Sequence, residues 1–194
     1  FNFSIKKLKL FRNLSLEKTN ELVHKKNHPT LRDLSIEIYK SGISHIVITS
    51  SKAKIPSYNI ALALACFMQS KKNRIAIVNI SNKKTIPIDK LEHNTIVGYD
   101  ISHTMEYVYI INTKDGNNIQ ETISQKNYID DLQKLKKEFN LLIMCIDDNE
   151  ISSSLRALEG QNIFHITIAK TKRTKLKTLD KMQSLLPIQG LLYE

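Results

Sequence analysis

Cysteine is scarce: only Cys66 and Cys145 occur in 194 residues, and both lie in apolar stretches. That scarcity excludes a disulfide framework and a thiolate metal site. It leaves two small buried hydrophobes of a reducing compartment. No apolar run approaches the ~18 residues of a spanning helix. The longest, near residues 60–68 and 141–146, have the length of core elements. No signal peptide is evident. The chain opens on Phe1 rather than methionine, so it is expected to be a segment of a longer parent. His24, His28, His45, His93, His103 and His165 show no metal-ligand spacing. His45 and His165 fall within strand patterns, as core or edge residues. No Ser-His-Asp or Cys-His arrangement, internal repeat or low-complexity tract is readable. Ser152-Ser153-Ser154 reads as a polar helix face.

What is present is an ordinary globular composition, 41% hydrophobic and 25% charged. The length suits one full core plus an arm. The balance is basic, with 29 Lys+Arg against 19 Asp+Glu and a net charge of +10. The lysines are scattered, and no aromatic residues interleave with them as a groove for single-stranded nucleic acid prefers. Nucleic acid is therefore not the expected partner. A solvated surface is the preferred account, with attraction to an anionic surface as the alternative. Lys6-Lys7-Leu8-Lys9 would suit a membrane-proximal linker.

Apolar strands alternate with helices. Residues 1–29 read as an amino-terminal arm, with Ser15 capping a short helix that carries Leu16 and Val23. Thr30 caps the next helix, whose stripe is Leu31, Leu34, Ile38 and Ile36, and Gly42 ends it. Strand 44–50 follows, then a loop, then a buried helix over 59–68 with Pro56 in its first turn. Strands are expected at 74–80, 106–111, 141–146, 163–169 and 188–193, and helices at 128–139, 150–158 and 174–186. Residues 81–105 read as polar and irregular. Continuous rather than alternating apolar strands imply a parallel sheet covered on both faces. The expected fold is thus α/β, with three layers, a mostly parallel central sheet and helices on both faces, over residues 30–194.

A strand–loop–helix–strand run of this kind is where P-loop proteins carry G-x-x-x-x-G-K-[ST]. Here the loop reads Ser51-Lys52-Ala53-Lys54-Ile55-Pro56-Ser57-Tyr58, without glycine. The order and spacing resemble the cytoplasmic P-loop domain of bacterial tyrosine kinases and succinoglycan-type exopolysaccharide transport proteins. These polysaccharide co-polymerases are related to the MinD/ParA ATPases. The resemblance covers residues 28–194. It is carried by residues 45–50 (HIVITS, similar to V-I-L-V-T-S) and 74–81 (RIAIVNIS, similar to R-V-L-L-I-D-A-D). Residues 60–65, 139–146 and 189–194 follow the family's corresponding helix, later strand and closing strand.

Carried onto this chain, the family's phosphate-gripping lysine falls on Ser57 and its magnesium-binding hydroxyl on Tyr58. The two acids of the second strand fall on Asn79 and Ser81, and the later acid on Cys145. Ser57 cannot neutralise β/γ-phosphate charge as an ammonium does. Asn79, Ser81 and Cys145 offer no carboxylate to magnesium. A loop without glycine does not easily turn several N–H groups inward. Lys52 falls where MinD/ParA proteins carry an extra lysine that reaches across a dimer, though a solvated loop lysine is its preferred reading; Lys52 and Lys54 join Ser57, Tyr58, Asn79, Ser81 and Cys145 as vestigial nucleotide-site positions. Asp147-Asp148 suggests either a metal pair or, preferably, a cap by Asp148 or Asn149 for the helix that follows. The family's E-x-x-R-x-x-R helix and tyrosine-rich tail have no match, since the tail offers only Tyr193.

The resemblance implies a cytoplasmic module at the bacterial inner membrane. Its expected partners are the membrane-embedded remainder of a parent protein or polysaccharide-export machinery, with self-association as a further expectation. The departures imply that no cofactor binds and that no catalytic or metal residue is present. Two alternatives stay open. One is a working tyrosine kinase that binds ATP and magnesium through unconventional residues. The other is a MinD/ParA-like partner of membrane or DNA.

Overall fold

The strand that precedes the glycine-free loop is buried at every residue, so it must be covered on both faces. The computed structural model describes residues 4–7, 29–51, 57–79, 94–96, 99–113, 128–147, 151–170 and 173–193. The strands are β1 (Ser4–Lys7), β2 (His45–Ser51), β3 (Ile75–Asn79), β4 (Asn94–Ile96), β5 (Tyr99–Met105), β6 (Val108–Thr113), β7 (Leu141–Asp147), β8 (Phe164–Ala169) and β9 (Ile188–Tyr193). The helices are α1 (Pro29–Ser41), α2 (Ser57–Met68), α3 (Tyr128–Glu138), α4 (Ile151–Ala157) and α5 (Leu176–Leu185). All strands join one sheet in the order β1-β9-β8-β2-β7-β3-β6-β5-β4. From β1 to β6 every neighbour is parallel, while β5 and β4 close that edge antiparallel.

The period-two alternation of strands divides the core in two. Ile46, Ile48, Ile77, Ile143 and Ile166 point to the face covered by α1 and α2. Val47, Ala76, Leu142, Met144 and Ile188 point to the face covered by α3, α4 and α5. Three layers result, as the continuous apolar strands predict. α1 opens on Pro29, which suits a first helical turn, and ends at Gly42, with φ of 65°. Gly160 follows α4 with φ of 79°. That left-handed conformation is disfavoured for other residues, and it turns each chain back toward the sheet.

α2 is buried nearly all round because it lies between α1 and the sheet. Ala61, Ala63 and Ala65 leave room for that close approach. Ala61→Phe or Ala65→Phe is expected to destabilise the fold by about 1–3 kcal/mol through overpacking. Urea midpoints measure it, and an unchanged midpoint for both variants would mean that α2 is not packed this way. α3 is two-sided: Leu132 and Leu135, with Phe139 just beyond its end, face the core. Asp130 and Asp131 lie in its first turn and Lys136 and Lys137 in its last, each suited to the helix dipole.

Several elements differ from the sequence reading. Residues 106–107 form the turn of a hairpin rather than the start of a strand, and β4 and β5 occupy ground read as irregular. Residues 4–7 form an edge strand beside β9 where only an arm was expected. Ile36 is exposed and lies off the α1 stripe. Ser154 is buried, not on a polar face, because α4 turns it inward between Ile151 and Leu155. The expected helix at residues 16–23 lies outside the described residues.

Candidate functional site

In an open α/β sheet, ligands sit beyond the carboxyl ends of the strands where the chain reverses its direction of winding. Here the chain leaves β2 toward β3 by way of α2 on one face, and leaves β7 toward β8 by way of α4 on the other. The crevice therefore falls at the ends of β2 and β7. Register places Cys145 of β7 opposite Ile48 of β2 and Asn79 of β3. Ser50 pairs with Asp147 two residues nearer the carboxyl edge. The structure thus brings together Asn79 and Cys145 on neighbouring strands, and Ser57 and Tyr58 in the first turn of α2. Lys52, Lys54, Ser81, Asp148 and Asn149 lie outside the described residues.

None of Asn79, Cys145, Ser57 and Tyr58 carries a charge at neutral pH, and Ser57 and Cys145 are fully buried. The Tyr58 hydroxyl is buried with no hydrogen-bond partner among the described residues. Burial pushes the Tyr58 phenol above its ordinary range, reinforced by the Cys145 and Cys66 thiols. Burial likewise pushes Cys66 up to about 12. A phenol and a thiol held in their neutral forms supply neither the cation that a triphosphate needs nor the carboxylate that magnesium prefers. Among the described residues no cluster of His, Cys, Asp and Glu is arranged to hold a metal ion.

Behind this crevice, on the face covered by α5, lies a polar group that sequence reasoning missed. His165 of β8 is fully buried. Its Nδ1 is 3.0 Å from the Leu186 carbonyl, which can only accept, so Nδ1 carries the proton. Nε2 must then accept, from the Thr49 hydroxyl at 3.0 Å or the Thr167 hydroxyl at 3.2 Å. The two hydroxyls lie 2.9 Å apart, so one can donate to the other while the second donates to the ring. Burial lowers the His165 pKa to about 4, partly opposed by the bond to Leu186. The network is satisfied internally and is structural. Thr49 lies more than a hundred residues from His165 and Thr167 in the chain, so no spacing signal marks the group.

A second missed contact fastens the mouth of the crevice. The Thr174 hydroxyl donates to the Ser51 carbonyl at 2.8 Å and accepts from the Lys170 N–H at 2.9 Å. It ties the end of β2 to the segment leading into α5. His45 lies at the far end of β2, where neither ring nitrogen has a hydrogen-bond partner among the described residues. Burial first, and then the charge of Lys136, lowers its pKa to about 3.

No family model matches the chain, and no curated protein matches it in sequence. Solved structures do. The BceF tyrosine kinase domain superposes with a TM-score of 0.64 at 9% identity, covering 91% of this chain and 76% of that one. The VpsO kinase domain gives 0.64 at 11% identity, covering 92% and 96%. The kinase domain of the Escherichia coli tyrosine kinase ETK gives 0.61 at 10% identity, covering 84% and 73%. At such identities the likeness is one of fold: the chain is built as bacterial tyrosine kinase domains are built.

Proposed function

We propose that this chain, on a fold shared with bacterial tyrosine kinase domains, is a non-catalytic module of an exopolysaccharide biosynthesis or transport protein. It contributes contacts to the membrane-embedded remainder of its parent or to export machinery, on the cytoplasmic side of the inner membrane, and performs no phosphoryl transfer. The observation that carries this reading is the uncharged set at the crevice, with Ser57 and Cys145 fully buried. Cys145 sits between Ile48 and Asn79, with Ser57 and Tyr58 in the helix turn beside them. The resemblance in element order and the fold likeness support the kinase-like origin. The five replaced positions, Ser57, Tyr58, Asn79, Ser81 and Cys145, support the loss of chemistry.

Calorimetric titration with Mg-ATP tests it. No binding in the micromolar range is expected, and micromolar binding would favour a working kinase instead. Ser57→Lys is expected to yield no ATP turnover, because restoring the cation leaves the carboxylates missing. Turnover from that single change would overturn the account of the site.

A further inference from the structure

We propose that the outward face of α1 is a two-fold, self-matching interface on which a second copy of this chain docks antiparallel. This goes beyond the reading above, since it holds whether or not the crevice binds nucleotide. Three large hydrophobic residues stand exposed among the described ones, Ile36 at 41%, Tyr39 at 62% and Leu176 at 77%. Two of them belong to α1 and are three residues apart, so they are neighbours on one side of the helix. Leu31, Leu34 and Ile38 occupy the opposite side and pack into the core. α1 thus carries a second apolar spot, turned away from its own domain.

The groups around that spot are ordered. A helix turns about 100° per residue. With Ile36 at the centre, Asp33 and Lys40 lie about 40–60° to one side, and Arg32 and Tyr39 about 40–60° to the other. All four are exposed. Glu37 is half-buried and lies about 100° round, at the margin. Along the axis, Asp33 and Lys40 stand at equal distances, about 5 Å, from the midpoint between Ile36 and Glu37. A two-fold axis through that midpoint sets a second α1 antiparallel and keeps each flank on its own side. Asp33 then meets Lys40 of the second copy, and Lys40 meets the Asp33 of that copy. On the other flank, Arg32 comes within about 3 Å in height of the second copy's Tyr39, near enough to lie over its ring. The two Ile36 side chains meet at the axis. Asp33 already has a contact within its own chain, and a carboxylate accepts more than one bond. Tyr39 is placed before docking: Asn73 Nδ2 donates to its hydroxyl at 3.3 Å and to the Met68 carbonyl at 2.9 Å.

The face is complementary to its own reverse, which singles out a second copy as the occupant. A parallel mate would set Asp33 against Asp33 and Lys40 against Lys40, so like charges exclude it. Antiparallel helices also bring opposite dipole ends together. The contact uses the same patch on both copies, so it closes at a dimer and leaves no surface for a third. α1 has 13 residues and is about 20 Å long. The buried area therefore stays below about 1,200 Å², and association is weak, with a Kd on the order of 10–1,000 μM.

Sedimentation velocity of the full chain, from about 10 μM to about 1 mM, tests the proposal. A reversible monomer–dimer equilibrium is expected, with nothing larger. Ile36→Glu sets two carboxylates against each other at the axis and should weaken the dimer at least about tenfold. Asp33→Lys alone, or Lys40→Asp alone, turns two attractions into two repulsions and should weaken it about tenfold. Both changes in one chain restore opposite charges at each end, and the dimer should return to within about threefold of the parent. Lys177→Asp, on α5 across the sheet, should leave it unchanged. Circular dichroism melts should stay near the parent, because these side chains are exposed. Ile36→Cys gives an independent reading: mild oxidation should link two copies at the axis, while Lys177→Cys should not link. Cys66 and Cys145 are buried and stay out of that reaction. A monomer at every concentration, species larger than a dimer, or an undiminished dimer in Ile36→Glu would overturn the proposal. So would no recovery in the double charge swap, or linking by Lys177→Cys as readily as by Ile36→Cys. None of these outcomes bears on Mg-ATP binding, so the two readings fail separately.

Discussion

Urea unfolding at pH 5 is expected to find the protein about 4 kcal/mol less stable than at pH 7, about 2 kcal/mol from each of two buried histidines. Unfolded histidine takes up its proton near pH 6.5. Folded His45 does so only at about 3, and folded His165 at about 4. Between those values the unfolded chain binds more protons, so acid favours it. The stabilisation is whole above pH 6.5 and drains away as the pH falls toward 4 and then 3. Two causes act. His165 has both ring nitrogens engaged in a form that leaves Nε2 no room for a second proton. His45 is enclosed without a hydrogen-bond partner among the described residues, and Lys136 adds a repelling charge. His45→Leu should remove about half of the pH dependence and leave the rest. Equal urea midpoints at pH 7 and 5 would show that neither imidazole is held neutral.

Returning a carboxylate to the site by Cys145→Asp is expected to destabilise the fold by about 3–5 kcal/mol, because an unpaired charge is placed in the interior. Cys145 has no exposed surface, and its strand neighbours Ile48 and Asn79 bring no cation. The Tyr58 phenol beside it is held neutral and cannot serve as a counter-charge. The decisive measurement is the melting temperature of the variant with and without millimolar Mg-ATP. In a pocket that still cradles a metal triphosphate, the ligand would restore stability by mass action. No restoration is expected. Recovery of the melting temperature with Mg-ATP, absent with ATP alone, would show that a magnesium position persists and that the site is one acid short of working.

The sheet was legible wherever burial is complete on both faces. β2, β7 and β8 carry runs such as Ile46-Val47-Ile48 and Leu141-Leu142-Ile143-Met144, which few other structures accommodate. The β4–β5 hairpin escaped notice because an edge strand needs only one apolar face. Tyr99, Ile101, His103 and Met105 do alternate with Asp100, Ser102 and Thr104, but the polar members read as loop. β1 escaped because four residues carry no period. Of the candidate site, the loss of charge at Ser57 and Cys145 was readable from letters aligned to a strand and a helix. The Thr49–His165–Thr167 group and the Thr174 tie were not, since they arise from strand order, which juxtaposes residues far apart in the chain.

The last strand is held at its entrance by side-chain amides as well as by the ladder. Gln189 Oε1 accepts from the His165 N–H at 2.6 Å where the β8–β9 register shifts, and Gln183 Oε1 accepts from the Ile188 N–H at 2.7 Å. Two glutamines thereby index the seating of β9. Sliding it by one residue would strip both amides of their acceptors in addition to turning Leu191 and Leu192 to the wrong faces. Deuterium uptake at His165 and Ile188 consequently reports the undocking of this final segment, separately from the opening of the sheet's interior.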